Sequence, residues 1–291
     1  MFNKAYNIAN KFTHPLIVTL RFFDNTIEGG LGSFIVINDE GWCMTAAHNF
    51  GAAFTFNQHQ QEIKEYQEKV DKINANTQIK DKQRQALARA IKPNKKWLTD
   101  FAILLGGQPI NILQHIIYGE NDIAFFQIDP KALVGQTVFP KIKNPANISP
   151  GTSLCKLGFP FVEVKPTFDV NTKQFALPPN LLPIPLFPIE GIYTRNLLQG
   201  KTADGSMDIL YLETSSPGLK GQSGGPIFDT DGNVYSVQSQ NVTLPLGFKG
   251  TEEVNGKKIE ENQFFNVGIG VHPSTIEFLL NKHNIKHDIA Q

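Results

Sequence analysis

One pattern recurs along most of this chain. Short segments rich in β-branched and aromatic residues are each closed off by glycine, proline, asparagine or aspartate. LIVTLRFF (16–23), GSFIVIN (32–38) and WCMTAA (42–47) open the series, and FAILLGG (101–107), INILQHIIYG (110–119) and IAFFQID (123–129) continue it. NISPGTSLCKLGFP (147–160), GIYTRNLL (191–198), MDILYLET (207–214), GGPIFDT (224–230), VYSVQSQNV (234–242) and FFNVGIGV (264–271) complete it. About a dozen strands at such spacing restrict the fold to barrels or a sandwich. PPNLLPIPLFP (178–188) is too proline-rich for a strand interior and predicts an extended loop.

Two segments break the β pattern. Residues 58–92 are charged and lack glycine, and Ile63, Tyr66, Val70 and Ile73 step by three, four and three, a helical seam that Leu87 and Ile91 resume. This predicts a helical hairpin or broken helix inserted between strands. It would cover a barrel edge or dock a regulatory protein partner. PSTIEFLLNKHNI (273–285) predicts a closing helix, with proline and serine at its start.

Charge and cysteine content exclude several roles. The 27 basic and 27 acidic residues cancel, so neither nucleic acid nor an anionic membrane is an expected partner. No apolar run reaches the roughly 18 residues that span a bilayer, and the first twenty residues lack the pattern of a signal peptide. Cys43 and Cys155 are the only cysteines and read as buried small hydrophobes. Together these features suggest a cytoplasmic protein.

The stretch GLKGQSGGPIFDTDG (218–232) raises a sharper question, because four of its five glycines crowd around one serine, Ser223. Glycine loses the most conformational freedom on folding, so such density needs a reason. A surface hairpin is one; a turn that exposes the hydroxyl and frees backbone N–H groups is another. Elsewhere TAAH (45–48) ends a strand run at His48, and Asp122 opens IAFFQID. The order His, Asp, Ser is one of three that build the same catalytic geometry. A serine hydroxyl needs a base, imidazole titrates near neutrality, and a carboxylate must fix its tautomer. Backbone N–H groups, here those of Gly221 and Ser223, must await the oxyanion. This chemistry needs no metal and no cofactor. TDFAILL (99–105) makes Asp100 a competitor for Asp122, whereas His115 and His272 lie in strand-like runs and read as structural. Gly221–Gly225 also matches the nucleophile elbow of an α/β-hydrolase, but the D-G turn that follows reads as a hairpin, not a helix.

TAAH, NDIAFFQID and GQSGGPIFDTDGNV resemble the trypsin-like, chymotrypsin-fold serine peptidases. ISPGTSLCKLGFP, ETSSPGLKGQSGGP and VGIGVHPSTIEFLL are similar to the HtrA-like and bacterial trypsin-like branch. The resemblance runs from about 15 to 285, outside the helical insert and the proline-rich loop. It implies an all-β fold of two six-stranded antiparallel barrels in a single domain, the first over about 15–135 and the second over about 136–272. It also implies hydrolysis of a protein or peptide substrate by His48, Asp122 and Ser223. By the same analogy the substrate pocket has its floor near Pro217 and its walls at Ser239, Gln240, Asn241 and Gly268. With no acid at that floor, a small apolar or uncharged polar side chain is the expected fit. Digestive members carry aspartate before the serine, where it pairs with a newly released N-terminus. Gln222 stands there instead, so loop ordering or a partner becomes the expected control. An idle scaffold that only binds a partner is the competing reading.

Overall fold

The computed structural model describes residues 1–254 and 257–291, with side chains outside 252–259. In chain order the elements are α1 (Asn3–Ala9), β1 (Thr13–Phe22), β2 (Ile27–Val36), β3 (Trp42–Thr45), α2 (Gly51–Asn74), α3 (Asp81–Ala90), β4 (Leu98–Leu105), β5 (Ile112–Tyr118) and β6 (Ile123–Ile128). There follow β7 (Lys141–Lys143), β8 (Ser153–Gly158), β9 (Thr167–Asp169), β10 (Gln174–Ala176), β11 (Phe187–Lys201), β12 (Asp208–Thr214), β13 (Pro226–Phe228), β14 (Val234–Val254), β15 (Lys257–Val271), α4 (Pro273–Lys282) and β16 (Asp288–Ala290).

The strands form two large sheets. The first has six strands in the order β4-β1-β2-β3-β6-β5, antiparallel throughout. Its end strands meet through side chains: Leu105 of β4 and the partly buried Ile112 and Ile117 of β5 pack into one core with Leu16, Phe34, Cys43 and Phe126. In the second sheet β8, β11, β12, β15, β14 and β13 close a six-membered ring through the β13–β14 pairing. β7 and β16 extend it beside β14 by two parallel pairings, while the other pairings among the described residues are antiparallel. Both six-strand units of the sequence-based expectation are therefore present. A larger core binds them together: Ile35, Met44 and Phe125 of the first sheet pack with Leu157, Tyr211 and Val237 of the second. Fully burying such a side chain contributes about 1.5–3 kcal/mol.

Helices cover the ends. α4 buries Ile276, Leu279 and Leu280 against this core, as its apolar face predicts. α1 was not legible in the sequence; it is only 7 residues long, and Ala5 and Ala9 are fully buried because β13 and the core hold them. The insert begins at Gly51, earlier than the expected 58, because the apolar run AAFTF lies in the helix. α2 packs on β4, an edge strand, with Phe56 against Phe101. His59 Nδ1 accepts from Leu98 N–H at 3.0 Å, and Gln60 Nε2 donates to Leu98 O at 2.9 Å. Two backbone groups of an exposed edge are thereby satisfied. Tyr66 packs on Phe23 and Trp97. α3 buries none of its residues. The proline-rich run is a loop up to Leu186, but it turns where Leu181 N–H donates to Pro178 O at 3.1 Å instead of staying extended, and its last two residues, Phe187 and Pro188, open β11.

Candidate active site

β3 ends at Thr45, and the chain turns through a single 3₁₀ turn, Ala47–Phe50, that carries His48. Phe50 is buried against Phe126 and anchors that turn. Asp122 sits immediately before β6, which pairs with β3, so the sheet register brings the two side chains together. His48 Nδ1 lies 2.9 Å from Asp122 Oδ2, and the His48 backbone N–H donates to Asp122 Oδ1 at 3.0 Å. The Ser239 hydroxyl donates to the same carboxylate. Asp122 thus faces His48 Nδ1, the His48 N–H and the Ser239 hydroxyl together, which fixes the orientation of the imidazole ring. Asp122 adopts φ +50, a left-handed conformation that aspartate tolerates better than most residues. Asp100 lies elsewhere, paired with Arg21 at 3.0 Å on the outer side of β4. His115 is exposed on β5. His272 caps α4 by accepting from Ser274 N–H, and burial pushes its imidazole down to about 4.

The glycines around Ser223 have distinct reasons. Gly221 has φ +99, and a Cβ there would overlap Phe159 O. Gly224 has φ +87, and its Cβ would overlap Ser33 O and Thr45 Oγ1. Gly225 would overlap Leu157 O. The loop is thus wedged, backbone against backbone, between the two sheets, which only glycine permits. Ser223 O accepts from Ser33 N–H at 2.8 Å and from Asn49 Nδ2 at 3.1 Å. Ser33 Oγ donates to Gly221 O at 2.8 Å. Among the described residues, neither the Gly221 nor the Ser223 N–H donates a hydrogen bond. Ser223 Oγ lies 3.4 Å from Ser239 O.

The description "trypsin-like peptidase domain" fits residues 32–237, most of the chain and all three of these residues. The chain belongs to that family. No curated protein matches it. Among solved structures it resembles the HtrA-type protease AlgW with a decapeptide, at 10% identity and a TM-score of 0.51, covering 98% of this chain and 68% of that one. The same protease with a tripeptide aligns at 13% identity with a TM-score of 0.49, over 99% of this chain and 64% of that one. This chain therefore spans about two thirds of their length, and at these identities the likeness is one of fold.

Of the pocket residues expected in this trypsin-like frame, Pro217 lies on segment 216–218, Ser239, Gln240 and Asn241 lie on the facing segment 238–241, and Gly268 lies on β15. Gly218 N–H donates to Asn241 Oδ1 at 3.2 Å, and Gly268 N–H donates to Ser216 O at 2.8 Å. Ser239 occupies a bulge of β14 between Gln238 and Gln240. The bulge aims its hydroxyl at Asp122 rather than into a pocket wall, a use of bulges common beside active sites. Gln222 is buried; its Oε1 accepts from Leu219 N–H at 3.0 Å and its Nε2 donates to Phe187 O at 3.4 Å. Sequence reasoning missed Ser33 and Asn49, which brace the serine loop, and also missed Lys156. A lysine inside the apolar run LCKLGF was the only signal of the last. No helix among the described residues is long and apolar enough to cross a membrane.

Proposed function

We propose that this trypsin-like peptidase domain is a serine endopeptidase in which Ser223 attacks the peptide carbonyl, His48 moves the proton and Asp122 orients His48. The observation that carries the reading is the shared carboxylate: Asp122 is bonded by His48 Nδ1, the His48 N–H and Ser239 Oγ, which leaves Nε2 as the base. For attack, the Ser223 hydroxyl turns from Ser239 O toward that nitrogen, an adjustment usual between resting and substrate-bound sites. The proton of Ser223 passes to His48 Nε2 as the Oγ–carbon bond forms. The carbonyl oxygen, now an anion, takes the two undonated N–H groups of Gly221 and Ser223. His48 then returns the proton to the leaving amine as the peptide bond breaks, and water repeats the sequence on the acyl-enzyme.

Control falls to loop ordering or a partner, not to release of an N-terminus. The Gln222 amide bonds Leu219 and Phe187 directly, with no charge that would call for a partner ammonium, so the serine loop is held without a cleaved N-terminus. The free, buried thiols of Cys43 and Cys155 suit a reducing compartment such as the cytoplasm.

A fluorophosphonate probe tests the reading. It should label Ser223 in the wild type and should fail to label His48→Ala. Absence of wild-type labelling in a folded protein would favour the competing scaffold, which binds peptides in the same cleft without cutting them.

A further inference from the structure

β8 reads SLCKLG, and a lysine stands in its fully buried part. Lys156 is 1% exposed. Its Nζ donates to Thr214 Oγ1 at 2.8 Å and to Pro217 O at 2.9 Å, and it also contacts Ser216 O. No ion pair reaches it among the described residues. An ammonium buried without an opposing charge is costly, and folds seldom retain one without a use.

Its location suggests the use. Segment 216–218 runs directly into the Ser223 loop, and strand segment 238–241 faces it. Gly218 abuts Gln240 O, while Ser239 O lies beside Ser223 Oγ. A substrate carbonyl seated on Ser223, with its oxygen toward the Gly221 and Ser223 N–H groups, sends its neighbouring side chain between these two segments. That slot is closed here, and behind it lies Lys156 Nζ, bonded to Ser216 O and Pro217 O. A Cβ on Gly268 would overlap this amine, so the glycine makes the room it occupies. On the same two segments the Ser216 hydroxyl and the Gln238 amide oxygen are buried with no hydrogen-bond partner among the described residues. The three hydrogens of the amine each have an acceptor, so what it lacks is an opposite charge, and the Ser216 hydroxyl is the donor left free on that segment.

We propose that Lys156 sets the specificity of the Ser223 site for an acidic side chain, glutamate or aspartate, on the acyl side of the cut bond. The inference rests on the peptidase reading. A substrate carboxylate supplies the missing charge, exchanges with a backbone acceptor of the amine and takes the unpartnered Ser216 hydroxyl as a second donor. The two slot walls touch here, so they part as the side chain enters. This replaces the expectation of an uncharged pocket. None of Pro217, Ser239, Gln240, Asn241 and Gly268 carries a charge, and the charged group comes instead from β8.

Paired peptides that differ only in glutamate against glutamine at the cut position provide the test, with fluorophosphonate labelling of Ser223 run alongside. In the wild type kcat/KM for glutamate should exceed that for its neutral isostere by about 10- to 100-fold. Lys156→Met should erase the ratio and still label at Ser223, whereas Lys156→Arg should keep a preference for acid. If Ser223 labels but glutamine is cut as well as glutamate, or lysine or leucine is preferred, the specificity is wrong and the peptidase reading stands. If Lys156→Met slows all peptides equally with the ratio intact, the amine is only a brace and the proposal is overturned. Should Lys156→Met fail to fold, the wild-type ratio and the Lys156→Arg profile decide. Absence of wild-type labelling removes the peptidase reading and this specificity with it.

Discussion

The side-chain amide of Asn49 donates to the main-chain carbonyl of Ser223 at 3.1 Å, across 174 positions of sequence. The same amide donates to Thr45 Oγ1 at 2.9 Å, so the residue after His48 ties the serine loop to the end of β3. Asn49→Ala should therefore slow fluorophosphonate labelling of Ser223 by about 10-fold and lower stability by about 1 kcal/mol. Labelling kinetics and urea unfolding read the two effects. An unchanged labelling rate would mean that Ser33 alone holds the carbonyl.

Ser223→Ala and His48→Ala should each remove nearly all peptide hydrolysis with the fold retained, because such groups act as a unit. Asp122→Asn should cost about 10⁴-fold in kcat by favouring the wrong imidazole tautomer. Asp100→Asn breaks only the pair with Arg21 and should leave kcat within about twofold. Steady-state kinetics on one peptide rank all four, and the reverse order for the two aspartates would overturn the assignment.

Gly221→Ala puts a side chain at φ +99 against Phe159 O. The peptide must shift, and with it the N–H groups that await the oxyanion. A loss of about 10²–10³ in kcat with a smaller change in KM is expected. Gly224→Ala meets Ser33 O and Thr45 Oγ1 together, both parts of the brace, and should destabilise the whole protein. Thermal unfolding separates the cases: a large drop in Tm for Gly224→Ala, and a smaller one for Gly221→Ala.

The two halves of the insert should behave differently. Replacing 76–91 by about ten glycine and serine residues removes α3, which buries nothing, and should leave both Tm and Ser223 labelling close to wild type. Ile63→Ala together with Tyr66→Ala uncovers Phe23 and Trp97 and should destabilise by several kcal/mol, about the sum of two large-to-small losses. Equal damage from both changes would show that α3 is structural.

Burial pushes the Lys156 amine down from 10.5 to about 7. Between these values the unfolded chain holds a proton that the folded protein has released. Lys156 therefore weakens the fold most below pH 7, and its penalty is relieved as pH rises from 7 towards 10.5. Denaturant unfolding of wild type and Lys156→Met at pH 6 and pH 9 should show the gap in favour of the methionine variant shrinking at pH 9. A gap independent of pH would place the amine in the same protonation state folded and unfolded.

What the sequence settled was local. Alternating apolar residues closed by glycine and proline define strands whatever their partners, so the β-rich fold and the helical insert were legible. The same holds for His48 at a strand end and Ser223 in its glycine loop, because their backbone requirements are written next to them. The start of the insert was missed, since AAFTF satisfies strand and helix patterns equally and only the end of the His48 turn decides. Asp122 and Asp100 share a pattern, and the pairing of β3 with β6 sets Asp122, not Asp100, beside His48. Ser239, a pocket wall by position, became a partner of Asp122 because one bulged residue in β14 rotates its side chain. Lys156 shows the limit most clearly. A long, flexible side chain in an apolar run says that an amine is buried, but where its tip lands depends on β8 lying beneath the 214–217 turn. Such placement comes from contacts between residues about sixty positions apart, and no local pattern encodes them.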